Sequence, residues 1–83
     1  MSAAGEGADV TALVERLKSV TAHWTVYEDI PISQQRTVAA IGRELNKLGG
    51  MNAMREAYYD AKAANVAATT VQAYWDGIGD WRW

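Results

Sequence analysis

The sequence predicts an all-α protein that folds as a compact three- or four-helix bundle with short loops and a tryptophan-rich C-terminal tail. Apolar residues recur at intervals of three and four along most of the chain, which is the period of one helix face. The one proline and a Gly49-Gly50 pair interrupt this pattern where helices would begin and end. At 83 residues, the chain is short enough that one core is expected.

The first predicted helix begins at about Val10, and Asp9 or Thr11 can cap its exposed amide groups. Its end is left open. The β-branched residues after position 20 favour a stop near Val20, whereas the apolar stripe continues to Tyr27. The residues that line its apolar face up to that point are Leu13, Leu17, Val20 and Trp24.

Pro31 separates the first helix from the second, because proline is tolerated only in the first turn of a helix. We place a linker at about residues 28–32 and the second helix from Ser33 to the glycine pair at 49–50. Glycine readily adopts the left-handed conformation that ends a helix. A third helix then starts at about Met51, so that two helices meet across a very short connection.

A third helix that ran unbroken to Trp75 would be about 37 Å long. A globule of this length has a radius of gyration of only about 12 Å, so we expect a break at Asn65, which would cap a fourth helix. The alternative is one long helix stabilised by contacts within a dimer. The apolar stripe of the fourth helix comprises Ala68, Val71, Tyr74, Trp75 and Ile78.

The N terminus is made of small and polar residues, without a basic segment or an apolar run. We therefore expect residues 1–8 to be disordered, residues 9–83 to form a single helical domain, and the protein to be cytoplasmic without a membrane span.

Composition excludes several chemistries. The absence of cysteine removes disulfides, thiolate catalysis and cysteine-ligated metal sites. His23 has Glu28 and Asp29 nearby, but these residues do not follow a recognised metal-ligand spacing. Glu56 and Asp60 are four residues apart, which is typical of a solvated helix edge. We expect no enzymatic activity, no catalytic residues, no cofactor and no metal.

Tryptophan usage is the most unusual feature of the sequence. The chain has four tryptophans and no phenylalanine, and three of the tryptophans lie in the last nine positions. Tryptophan is enriched in the residues that dominate binding energy at protein interfaces. We expect Trp75 to be in the core, Trp81 to cover it and Trp83 to be exposed as a contact residue. The alternative is that Trp24, Trp75 and Trp81 simply fill the core. The predicted partner-binding residues are Tyr74, Ile78, Trp81 and Trp83.

Basic residues suggest a second function. Arg36, Arg43 and Lys47 form a basic ridge on the second helix, opposite its apolar stripe. With the helix that follows, this resembles a helix-turn-helix that would offer Asn52, Arg55 and Tyr59 to a major groove. The net charge of −2 and nearby carboxylates oppose phosphate binding. We therefore predict a small non-enzymatic protein that binds a partner protein or a second copy in a homodimer, with a nucleic-acid-binding module as the alternative.

Overall fold

The computed structural model describes residues 9–26 and 29–82, so the disorder expected for residues 1–8 and the exposure expected for Trp83 lie outside the described residues. Within this part of the chain the elements are α1 (Val10–Thr21), α2 (Ile32–Ala64), a 3₁₀ helix (Val66–Thr70) and α3 (Val71–Trp75), and there is no strand. The prediction of an all-α bundle is confirmed. None of these helices is both long and apolar enough to cross a lipid bilayer.

Helix α1 begins where its cap residue predicts. The Asp9 carboxylate accepts a hydrogen bond of 2.8 Å from the backbone N–H of Ala12, which satisfies one of the free donors of the first turn. The helix ends at Thr21, so the earlier of the two predicted ends is nearly right. The Thr21 hydroxyl donates to the carbonyl of Leu17 at 3.0 Å. Trp24 nevertheless stays in the core, because the turn after α1 keeps its side chain buried.

Helix α2 begins directly after Pro31 and is broken at Gly50, whose φ of 64° and ψ of −153° are not helical. We call residues 32–49 its N-terminal arm and residues 51–64 its C-terminal arm. A Cβ built on Gly49 would come within 2.8 Å of the Cβ of Ala53, whereas side chains four apart in a regular helix are separated by about 5–6 Å. The predicted break at the glycine pair is therefore confirmed, with its sharp bend at Gly50.

The two arms and α1 share one core. Both arms of α2 contribute buried side chains to the same cluster, including Ile41 and Leu45 from one arm and Met54 and Ala57 from the other. Leu17 of α1 is fully buried among them. This arrangement is what the predicted apolar stripes require, since each stripe must be covered by another helix.

Asn65 ends α2 with extended backbone angles (φ −154°, ψ 115°) and begins the 3₁₀ helix. Its Oδ1 accepts a hydrogen bond of 3.1 Å from the backbone N–H of Ala67. The predicted break and cap at Asn65 are therefore confirmed. Helix α3 is shorter than expected and ends at Trp75, so that Ile78 lies in the turn beyond the helix.

Trp75 packs directly against the backbone of α2. Its side chain is fully buried, and its indole N–H donates to the carbonyl of Val38 at 2.8 Å. A Cβ built on Gly42 would lie 2.5 Å from the indole nitrogen, which is closer than side-chain carbons approach one another. The absence of a side chain at Gly42 therefore lets the indole lie against the helix.

Candidate interaction surface

The structure does not gather the predicted partner-binding residues on one exposed face. Tyr74 and Ile78 are half-buried, Trp81 is only 4% exposed, and Trp83 lies outside the described residues. Tyr74 faces the loop after α1, because its ring meets the edge of Trp24 at 6.2 Å between centroids. Ile78 instead packs beside the N-terminal arm of α2.

Near Tyr74, a cavity of about 480 Å³ is lined by residues of the α1–α2 loop and the start of α2. His23 and Asp29 both line it, which places two of the side chains considered for metal binding at one site. Among the described residues, however, no group of three or more such ligands is close enough to hold a metal ion. Burial, and secondly the negative charge of Asp29, raise the pKa of Tyr74, so that its hydroxyl stays protonated at neutral pH.

Trp81 belongs to an aromatic cluster that closes the core. Its ring meets Trp75 edge-on at 5.2 Å between centroids and Tyr58 at 5.7 Å, both favourable arrangements of aromatic pairs. The C-terminal segment therefore folds back over α2 and α3. Within the described part of the chain, the buried indole N–H of Trp81 has no hydrogen-bond partner.

Replacing Trp81 with phenylalanine is expected to change the free energy of unfolding by less than about 1 kcal/mol. The smaller ring loses packing contacts, but the substitution also removes a buried donor whose desolvation opposes folding by about 1–3 kcal/mol. Urea denaturation followed by circular dichroism measures the difference. A loss of about 3 kcal/mol would contradict this interpretation and would mean that the indole N–H finds a partner in solution.

The turn after α3 is held by its own backbone. The N–H of Ile78 donates to the carbonyl of Trp75 at 2.9 Å, the N–H of Trp81 to the carbonyl of Ile78 at 3.0 Å, and the N–H of Gly77 to the carbonyl of Trp81 at 2.9 Å. Gly77 and Gly79 have positive φ angles, which favour glycine. The buried Trp81 thus fixes the turn that presents Ile78.

An open groove of about 380 Å³ lies between this turn and the N-terminal arm of α2. Arg43, Asn46 and Lys47 face it from one side, because residues three and four apart share a helix face. Ile78 supplies an apolar side chain from the other side. We call this feature the Ile78 groove, and its lining residues are Arg43, Asn46, Lys47, Gly77, Ile78 and Gly79.

Two polar side chains of the Ile78 groove have hydrogen-bonding groups that no described residue pairs with. Arg43 is exposed and Asn46 half-buried, and within the described part of the chain neither side chain makes a hydrogen bond or an ion pair. Lys47 makes an exposed contact of 3.5 Å with Glu44, a type of ion pair that contributes little to stability. These groups are therefore free to bind a ligand. The sequence predicted Arg43 and Lys47 only for the nucleic-acid alternative and gave no reason to select Asn46.

The other residues predicted for nucleic-acid binding lie apart from the groove lining. Arg36, Asn52 and Arg55 are exposed. The N-terminal arm carries three basic residues and one acidic residue, whereas on the C-terminal arm Arg55 and Lys62 are balanced by Glu56 and Asp60. The arm predicted to enter a major groove therefore has no net charge.

Comparisons of the chain with protein-family models, with curated proteins and with solved structures found no match. The function is consequently inferred from the geometry of this chain alone.

Proposed function

We propose that this chain is a small, non-enzymatic, cytoplasmic helical protein that acts by binding a partner protein at the Ile78 groove. One observation carries the proposal: the half-buried Ile78 lies beside Arg43 and Asn46, whose polar groups have no hydrogen-bond or ion-pair partner within the described residues. An apolar contact next to hydrogen-bonding groups that are not yet paired is the usual composition of a binding site.

The groove is suited to binding because its apolar side is already positioned. The backbone hydrogen bonds of the turn hold Ile78 in place, so covering it removes apolar surface from water with little loss of conformational freedom. Arg43 adds a residue type that is enriched in protein interfaces. In this proposal Trp81 supports the turn from the core side, and Ile78 makes the contact.

The partner is a different protein or a second copy of this chain, as predicted from the small core and the aromatic C terminus. The solution mass, measured by light scattering over a range of protein concentrations, distinguishes a homodimer from a monomer that binds a different protein. A nucleic-acid partner has less support, because the exposed side chains of the C-terminal arm carry balanced charges and an uncharged arm gains little from phosphate neutralisation.

Photo-cross-linking tests this proposal with little disturbance of the groove. A diazirine amino acid of about the size of isoleucine is introduced at Ile78, and in a control protein at Val66, which is 64% exposed but does not line the groove. After irradiation in cells that express the protein, we expect a discrete adduct of higher mass from position 78 and none from position 66. Gel mobility and mass spectrometry detect the adduct.

The mass of the adduct identifies the partner, and twice the mass of the chain would indicate a homodimer. Equal adducts at both positions, or no adduct at position 78, would contradict binding at this groove. Circular dichroism of both proteins establishes that each one is folded before irradiation.

A further inference from the structure

We infer that the Ile78 groove binds an acidic segment of its partner, in which a carboxylate meets Arg43 and Lys47 while a neighbouring apolar side chain packs on Ile78. This inference rests on the proposed function and adds the chemistry of the ligand. It follows from the charges that line the groove, from the Asn46 carboxamide, which has no hydrogen-bond partner within the described residues, and from the neighbouring carboxylates.

Among the described residues, the lining of the groove contains two cations, Arg43 and Lys47, and no carboxylate. The guanidinium of Arg43 has no partner within the described residues. A guanidinium presents a planar set of donors that matches the two oxygens of a carboxylate. The polar side of the groove is therefore complementary to a negative group.

Asn46 adds a second polar contact at a fixed position. Its carboxamide packs against Gly79, where a built Cβ would come within 2.5 Å of the Asn46 Oδ1. The close fit holds the half-buried side chain beside the turn. A carboxamide both donates and accepts hydrogen bonds, so it can pair with the backbone of an extended peptide that lies along the groove.

The surroundings favour one carboxylate over a chain of phosphates. Glu44 contacts Lys47, and the exposed Asp76 and Asp80 flank the turn without lining the groove. Closely spaced phosphates would place several negative charges beside residues that neighbour these three carboxylates in the sequence, which is unfavourable. A single carboxylate at Arg43 and Lys47 adds only one such charge. The groove is also open to solvent, so a small molecule would stay largely exposed, whereas a peptide can extend beyond it.

The experiment uses the full chain as an immobilised target for random peptides displayed on phage. We expect the selected peptides to share an aspartate or glutamate next to a large apolar residue. One selected peptide is then labelled, and its affinity is measured by fluorescence anisotropy. Arg43→Gln should weaken binding by about tenfold or more, because it removes a charged hydrogen bond.

Arg55→Gln is the matched control, since Arg55 is also an exposed arginine of α2 without a partner among the described residues. It should leave the affinity unchanged. Raising the salt concentration should weaken the binding to the wild-type chain more than the binding to the Arg43→Gln variant. A labelled DNA duplex is titrated in parallel.

The outcomes separate the inference from the proposed function. Selected peptides without acidic residues, or an affinity that Arg43→Gln does not change, would overturn the inference, as would a failure to enrich any peptide. A duplex that binds more tightly than the peptide and depends on Arg43 would identify nucleic acid as the ligand. A dimer that Ile78→Asp dissociates would identify a second copy as the occupant. The cross-link at position 78 tests the proposed function separately.

Discussion

Replacing Trp75 with alanine is expected to lower the free energy of unfolding by about 3–5 kcal/mol, as is usual for a buried tryptophan or phenylalanine. Trp75 is fully buried, contacts Trp81 and fills the space left open by Gly42. Typical stabilities per residue give this 83-residue chain only about 4–12 kcal/mol in total. The substitution therefore removes a large share of the stability.

Urea denaturation followed by circular dichroism measures the effect, and two further variants separate its causes. Trp75→Phe retains an aromatic ring but loses the hydrogen bond to Val38. It should therefore lower the free energy of unfolding by at least about 1 kcal/mol more than Trp81→Phe, because the indole N–H of Trp81 has no partner within the described residues. Tyr59→Ala is the surface control, because Tyr59 is 58% exposed. A loss of less than about 1 kcal/mol for Trp75→Ala would contradict the structure.

Features that depend on local backbone chemistry could be predicted from the sequence. A glycine pair, a proline and an asparagine mark helix ends because each has a distinct conformational preference or capping ability. The break at Gly50 and the cap at Asn65 follow these preferences. The end of α1 was harder to place, because Trp24 continues the apolar pattern in a turn that is not helical.

Features that depend on contacts between residues distant in the sequence could not be predicted. The fit of Trp75 against Gly42 requires that α3 crosses α2 at that residue, and nothing in a single sequence specifies this crossing. For the same reason, the sequence left open whether the C-terminal tryptophans are buried or exposed. Their number indicated their importance, but only the fold places Trp75 and Trp81 in one cluster with Tyr58.

The groove illustrates the same limit for function. Ile78 was predicted to bind a protein partner, whereas Arg43 and Lys47 were predicted for a rival nucleic-acid function. The fold brings all three to one groove, so residues selected for competing hypotheses become parts of a single proposed site. Helical spacing predicted that Arg43 and Lys47 share a face, but their distance from the C-terminal turn depends on tertiary packing.

Asn65 does more than cap a helix, and replacing it with aspartate is expected to lower the free energy of unfolding by about 2–4 kcal/mol at neutral pH. Its Nδ2 donates to the carbonyls of Thr21 at 2.8 Å and Trp24 at 3.0 Å, which ties the end of α1 to the end of α2. Aspartate keeps the oxygen that caps Ala67, but it replaces the donor with a carboxylate oxygen that faces the three carbonyls of residues 21, 22 and 24. Two lost hydrogen bonds and this repulsion account for the expected loss.

The same substitution distinguishes a cap from a tie between helices. Asparagine and aspartate are nearly equivalent as N-caps, so a residue that acted only as a cap would tolerate Asn65→Asp without a measurable change. The carbonyls would raise the pKa of the introduced carboxyl in the folded state above its unfolded value of about 3.9. Near these pKa values the folded state then binds more protons than the unfolded state. The stability of the variant relative to the wild type therefore falls as the pH rises from about 3.9 through the folded-state pKa.

Denaturation curves of the wild type and the Asn65→Asp variant at about pH 3 and pH 7 therefore test both the expected loss of stability and its dependence on pH. The difference in stability should be smaller at the acidic pH, where a protonated carboxyl can donate one of the lost hydrogen bonds. Asn52→Asp is the control, because it adds the same charge at an exposed position and should change stability by no more than about 0.5 kcal/mol. Equal stabilities of the wild type and Asn65→Asp at neutral pH would show that the contacts to Thr21 and Trp24 do not stabilise the fold.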